Sequence, residues 1–115
     1  MNGHLILNLF HILFVVPLFL YVALSRAATL DSIYWLLLVL GSFVLMYQAY
    51  KAVVRYMAGS SYIWVNLIHV LFIAPLIIYI GYLGKKTPRP AYELLALAAF
   101  AALGYHSYSI LMQLE

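Results

Sequence analysis

Four apolar stretches, each close to the length of a membrane-spanning helix, limit what this chain can fold into. They cover about residues 4–24, 33–56, 62–84 and 91–112 of the 115-residue sequence. A helix that crosses a bilayer needs about 20 mostly apolar residues, which each stretch provides. The breaks between them are short and contain turn-forming residues, as in the GKKTPRP segment at 84–90. The pattern predicts an all-α integral membrane protein with four transmembrane helices and the lipid bilayer as its partner.

The composition excludes several other classes of protein. Hydrophobic residues make up 68% of the chain and charged residues only 8%, against roughly 25% charged residues in soluble domains. A net charge of +3 provides no dense basic face, so we expect no nucleic-acid partner. The chain has no cysteine, which excludes disulfides and thiolate metal sites.

One apolar segment occurs twice, and this is the most informative motif in the sequence. Residues 8–21 read NLFHILFVVPLFLY and residues 66–79 read NLIHVLFIAPLIIY, with eight of the fourteen positions identical at an offset of 58. Chance similarity between leucine-rich helices does not align Asn, His, Pro and Tyr together. The match predicts a tandem duplication, with hairpin repeats at 1–57 and 58–115 inside a single membrane domain (1–115).

The repeat also predicts a topology. Each hairpin crosses the membrane twice, so both copies point the same way and a pseudo-two-fold axis along the membrane normal relates them. We therefore expect a four-helix bundle of two parallel hairpin repeats, with both termini on one side of the membrane. The positive-inside rule places the termini on the non-cytoplasmic side, since the opposite side carries more basic residues. The basic residues are Arg26, Lys85, Lys86 and Arg89 on that opposite side, against Lys51 and Arg55 near the termini.

Polar side chains are predicted to form one layer in the half of the bundle nearer the termini. A rise of about 1.5 Å per residue puts them at similar depths on antiparallel helices. The candidate ligand-binding or ion-binding residues are Asn8, His11, Tyr47, Gln48, Asn66, His69, Tyr105 and His106.

Each copy also contains a proline near the middle of its first helix. Pro17 and Pro75 each remove one backbone donor, which frees the carbonyls of Leu13 and Leu71 beside the polar layer. We predict that these prolines act as hinges.

Three functional interpretations of this layer remain open. Ionisable residues inside a membrane indicate a site, so the pocket could bind an ion, a proton or a small polar solute in a transport- or channel-type protein. Alternatively, the layer only fixes helix packing in a structural or assembly subunit of a membrane complex. In a third interpretation, His11 and His69 ligate one haem or a metal ion.

Enzyme activity is not expected, because recognisable catalytic spacings are missing from the sequence. All three acidic residues are peripheral, and no nucleophile has a base and an orienting acid at a recognisable spacing. Apart from haem we expect no cofactor. Since 115 residues make only a narrow bundle, we expect a homo-oligomer or a subunit of a larger membrane complex.

Overall fold

The structure, a computed structural model, describes residues 3–114, with side chains described up to residue 112. Four long helices account for nearly all of this range. Helix α1 consists of Gly3–Phe10, a π-helical segment His11–Val15, and Val16–Ser25. Helix α3 is built in the same way, from Ile63–Ile68, a π-helical segment His69–Ile73, and Ala74–Leu83. Helices α2 and α4 are α-helical throughout, over Asp31–Met57 and Arg89–Leu114. All four are long and apolar enough to cross a membrane, which confirms the prediction of an all-helical chain with four such helices.

The chain divides into two compact units. One contains α1 and α4, and the other, residues 27–87, contains α2 and α3. We call them the α1/α4 unit and the α2/α3 unit. Each unit therefore combines one helix from each of the predicted repeats 1–57 and 58–115, which themselves stay a prediction.

Each unit has its own narrow apolar core, formed by residues three or four positions apart on facing helices. This spacing places side chains on one helix face. The remaining large apolar side chains are mostly exposed, as on a surface that contacts lipid. In the α1/α4 unit the buried apolar residues are Val16, Phe19, Val22, Ala23, Ala91, Tyr92, Leu95, Ala98 and Ala99. In the α2/α3 unit they include Tyr34, Leu37, Ala74, Leu76, Ile77 and Ile80.

Helices α2 and α3 approach each other closely because glycines lie at the contact. A Cβ atom at Gly81 would lie 2.7 Å from the backbone nitrogen of Leu38 and 2.8 Å from the carbonyl oxygen of Tyr34. A Cβ at Gly41 would lie 2.6 Å from the Cγ1 of Ile78. Small residues of this kind let helix backbones pack tightly in membranes.

The same unusual turn ends α1 and α3. Arg26 has φ 50° and ψ −125°, and Gly84 has φ 56° and ψ −128°. This region is sterically available to glycine but strained for a residue with a Cβ atom. Arg26 is thus a strained position, whereas Gly84 adopts the conformation at little cost.

Candidate functional site

Two π-helical segments set the local geometry around the predicted site histidines. In α1 the backbone N–H of Val16 donates to the carbonyl of His11, and in α3 the N–H of Ala74 donates to the carbonyl of His69. Pro17 and Pro75 follow directly and have no N–H to donate. A wider π turn is therefore the way in which each helix accommodates its proline.

The π turns extend the prediction about free carbonyls. The usual α-helical donor to the Ile12 carbonyl is the Val16 N–H, which instead bonds His11, and the next position is Pro17. The carbonyl of Ile12 has thus lost its usual donor, in addition to that of Leu13. By the same argument the carbonyl of Val70, like that of Leu71, has lost its usual donor in α3. The hinge role of the two prolines stays a prediction.

Both histidines that begin the π segments are held by their own helix. The Nδ1 of His11 lies 2.8 Å from the carbonyl oxygen of Leu7, and the Nδ1 of His69 lies 2.8 Å from that of Val65. A carbonyl oxygen can only accept, so Nδ1 must carry the proton in each ring. In the neutral ring the lone pair therefore lies on Nε2, which is the tautomer of a proton acceptor or a metal ligand.

The α1/α4 unit brings four of the predicted site residues together. Asn8 is only 3% exposed, and its Oδ1 accepts from the Nδ1 of His106 at 2.7 Å. The ring of His106 stacks on that of His11 with 4.2 Å between centroids and 23° between planes. Tyr105 contacts His106 edge-on at 5.2 Å. The Nδ2 of Asn8 donates to the hydroxyl of Ser109 at 3.1 Å.

The α2/α3 unit brings together a different polar cluster. Asn66 is also 3% exposed, and its Nδ2 donates to the Oε1 of Gln48 at 2.6 Å. Its Oδ1 accepts from an Nη of Arg55 at 2.9 Å. The same guanidinium nitrogen lies 3.3 Å from the carbonyl of Tyr62. Tyr47 lies on the exposed side of α2, stacked on Phe43 at 6.2 Å.

Sequence reasoning missed two functional contacts, Ser109 and Arg55. Ser109 lies three residues after His106, so both project from one face of α4. Arg55 lies seven residues, or two turns, after Gln48 and was assigned only a topological role. The spacing of three residues from His106 could have identified Ser109, whereas the contact of Arg55 with Asn66 depends on the packing of α2 against α3.

Across residues 3–112 no group of three or more His, Asp or Glu side chains is arranged to hold a metal ion. His11 and His69 lie in different units, and their joint ligation of haem stays a prediction.

Comparison with known proteins assigns no relatives to this chain. No protein-family model matches it, and it has no significant match among curated proteins or solved structures.

Proposed function

We propose that this chain is a small transport- or channel-type membrane protein that binds a proton or a small cation at the stacked pair His11 and His106. The observation that carries the proposal is the 4.2 Å stacking of two titratable rings on helices long and apolar enough to cross a membrane. Ionisable residues at such a depth usually belong to a transport path or a ligand site.

The tautomers of the two rings support proton binding. The Leu7 carbonyl and the Asn8 amide oxygen accept from the two Nδ1 atoms, so both neutral rings keep their lone pair on Nε2. Two imidazolium charges at the observed separation of 4.2 Å would repel by about 4 kcal/mol at an effective dielectric constant of about 20. The pair therefore accepts one positive charge far more readily than two.

The surroundings of the pair favour a single mobile charge. Among the side chains that contact the pair are Asn8, Phe10 and Tyr105, none of which carries an opposite charge. A bound proton thus changes the charge of the whole cluster. The carbonyls of Ile12 and Leu13, which lie within the π segment and have lost their usual α-helical donors, would share in replacing the hydration of a bound cation.

Flux measurements on reconstituted protein test this proposal. We expect proton or cation flux into liposomes, reduced at least tenfold by His106→Gln, which keeps a side chain able to hydrogen-bond Asn8. His4→Gln is the matched control, because His4 is exposed near the start of α1 and should leave the flux unchanged. Wild-type protein with no flux above empty liposomes, or full flux in His106→Gln, would contradict the proposal.

A structural role is the second candidate, and the buried asparagines favour it. Both polar atoms of Asn66 are bonded, one to Gln48 and one to Arg55, as expected of polar residues that hold helices together. In that case the chain is a structural or assembly subunit of a membrane complex. Replacing both His11 and His69 by Asn would then lower stability, while the wild type would carry no flux.

The haem alternative has a separate test. Ligation by His11 and His69 predicts a Soret band in the purified protein or after addition of hemin. No band under either condition would exclude haem and leave the two candidates above.

The predicted duplication belongs with this proposal. It is supported by local geometry that recurs at the offset of 58, such as the π segments His11–Val15 and His69–Ile73. We propose that two hairpin repeats form a parallel four-helix bundle with non-cytoplasmic termini, which also associates with further copies or subunits. Because the chain has no cysteine, single cysteines added near the termini can be labelled from one side to test the orientation.

A further inference from the structure

A groove at the opposite end of the α2/α3 unit from Asn66 has features that the histidine proposal does not use. It has a volume of about 360 Å³ and lies between the first two turns of α2 and the last turn of α3. Asp31 and Leu38 bound it on α2, and Gly81 and Tyr82 bound it on α3. Since these residues lie at the ends of two helices long enough to cross a membrane, we expect the groove to lie at the level of lipid headgroups.

The walls of the groove are aromatic and one end is acidic. Trp35 and Tyr82 line it, and both are largely exposed, at 67% and 78%. The lining also includes Asp31, whose side chain ends in a carboxylate. Aromatic faces together with a carboxylate are the groups that attract an ammonium ion, including a quaternary one, through cation–π and charge interactions.

A positive charge lies directly beside the acidic end. The Nζ of Lys85 is 3.8 Å from the Oδ1 of Asp31, and it also donates to the carbonyl of Ala27 at 3.1 Å. Both charged side chains are more than half exposed, so an ion pair of this kind is weak in water. The groove therefore offers a negative and a positive group side by side to an incoming ligand.

We infer that this groove binds the zwitterionic headgroup of a phospholipid, such as phosphocholine or phosphoethanolamine. The ammonium group of the lipid lies against Asp31, Trp35 and Tyr82, while its phosphate pairs with Lys85. Leu38 lies about one turn beyond Trp35 and two turns beyond Asp31 on α2, and it contacts the glycerol backbone and the start of an acyl chain. An anionic lipid without an ammonium group leaves the Asp31 carboxylate unmatched, so charge complementarity favours the zwitterion.

Close packing of the two helices shapes the groove floor. Gly81 allows the backbone of α3 to lie against Leu38 and Tyr34, and the Tyr34 side chain is buried beneath. Trp35 on α2 and Tyr82 on α3 line the groove beside this close helix contact. Exposed aromatic residues are also common at membrane interfaces without any specific ligand, so the test must separate saturable binding from general partition into lipid.

Tryptophan fluorescence provides this test, because the chain has only two tryptophans. In a Trp64→Phe protein held in maltoside detergent, Trp35 is the sole reporter. We expect its emission to change saturably with a short-chain phosphocholine lipid added below its micelle concentration. A phosphoglycerol lipid with the same chains should bind at least tenfold more weakly, and so should the phosphocholine lipid to Asp31→Asn.

The matched control keeps the other tryptophan. In a Trp35→Phe protein, Trp64 reports from the start of α3, away from the groove, and should show no saturable response. Equal binding of phosphoglycerol and phosphocholine would overturn the inference in favour of phosphate binding by lysine alone. A linear response without saturation, or unchanged affinity in Asp31→Asn, would overturn it in favour of simple partition. None of these results depends on flux through the histidine pair.

Discussion

The two units hold the same buried residue in different ways. Asn8 and Asn66 are equally buried and occupy matching positions in the repeated motif. Asn8 accepts a hydrogen bond from His106, whereas Asn66 donates one to Gln48, although His106 and Gln48 also match at the offset of 58. The direction of the hydrogen bond between the helices is thus reversed from one unit to the other.

The reversal separates a titratable cluster from a permanently charged one. In the α2/α3 unit the Nδ2 of Asn66 bonds Gln48, and its Oδ1 accepts from Arg55, whose guanidinium carries a permanent charge. In the α1/α4 unit the same oxygen accepts from a histidine that stacks on a second histidine. The asparagine is therefore a common anchor, and its partner decides whether the cluster contains an imidazole or a guanidinium.

Substitution of Gly81 should have the largest effect. It tests whether α2 and α3 pack more closely than α1 and α4 do. Gly81→Ala places a Cβ against backbone atoms of α2, which cannot move without separating the helices. We expect a loss of about 3 kcal/mol in the free energy of unfolding, measured by SDS titration in mixed micelles. The matching residue in the α1/α4 unit is Ala23, so that unit already accommodates a Cβ at this position.

Ala23→Gly is the control for that prediction. It removes a buried methyl group and adds backbone freedom, at a cost of about 1 kcal/mol. An equal or larger loss for Ala23→Gly than for Gly81→Ala would mean that the two units pack with the same spacing.

Removal of each buried asparagine tests the difference between the two clusters. Asn66→Leu takes the acceptor from a charged guanidinium and should cost about 2 kcal/mol, since hydrogen bonds to charged groups are the stronger ones. Asn8→Leu takes the acceptor from an imidazole and should cost about 1 kcal/mol when measured at alkaline pH, where the imidazole is neutral. The same unfolding titration measures both, and a larger loss for Asn8→Leu would show that the charged cluster is the weaker anchor.

The sequence predicted the four helices, but not which polar residues pair with each other. Helix periodicity places Asn8 and His11 on one face, and residue count places His106 at a similar depth. Whether Asn8 meets His106 or Gln48 depends on which helices pack together, and this is decided by contacts between segments about 100 residues apart. The apolar pattern of α1 fits either partner, because both α2 and α4 present buried leucines at matching positions, Leu37 and Leu95.

The π turns were also beyond the sequence argument, for a local reason. Pro17 and Pro75 predict a missing backbone bond, which a helix can accommodate by a kink, by a free carbonyl or by a wider turn. The choice depends on whether the preceding residues can adopt the wider turn while His11 and His69 remain bonded to their own helix. Such a balance of small energies cannot be read from residue types.

The strained turn after α1 provides the third test. Arg26 and Gly84 adopt nearly the same backbone angles, but only glycine does so without strain. Arg26→Gly should raise the free energy of unfolding by about 1.5 kcal/mol, and Gly84→Ala should lower it by about the same amount. A loss of stability in Arg26→Gly would show that contacts of the arginine side chain outweigh the backbone strain.

The smallest expected effects concern the two threonines that follow these turns. Thr87 is buried, and its hydroxyl is shared between the carbonyls of Gly84 at 2.6 Å and Ile80 at 3.2 Å. Thr29 is fully buried, and within the described part of the chain its hydroxyl has no hydrogen-bond partner. Valine has nearly the same shape as threonine but lacks the hydroxyl. Thr87→Val should therefore cost about 1 kcal/mol, whereas Thr29→Val should stabilise the protein by up to about 1 kcal/mol, because it removes a buried polar group left unsatisfied.

These two substitutions act in opposite directions although they are chemically identical. Thermal unfolding in the same detergent measures the pair without any change of probe. Equal losses would mean that the Thr29 hydroxyl is bonded in the folded protein, and the two turns would then be equivalent despite the strain at Arg26. Opposite signs would establish that the turn after α3 is closed by a bonded threonine, while the turn after α1 keeps an unsatisfied hydroxyl a few residues from a strained arginine.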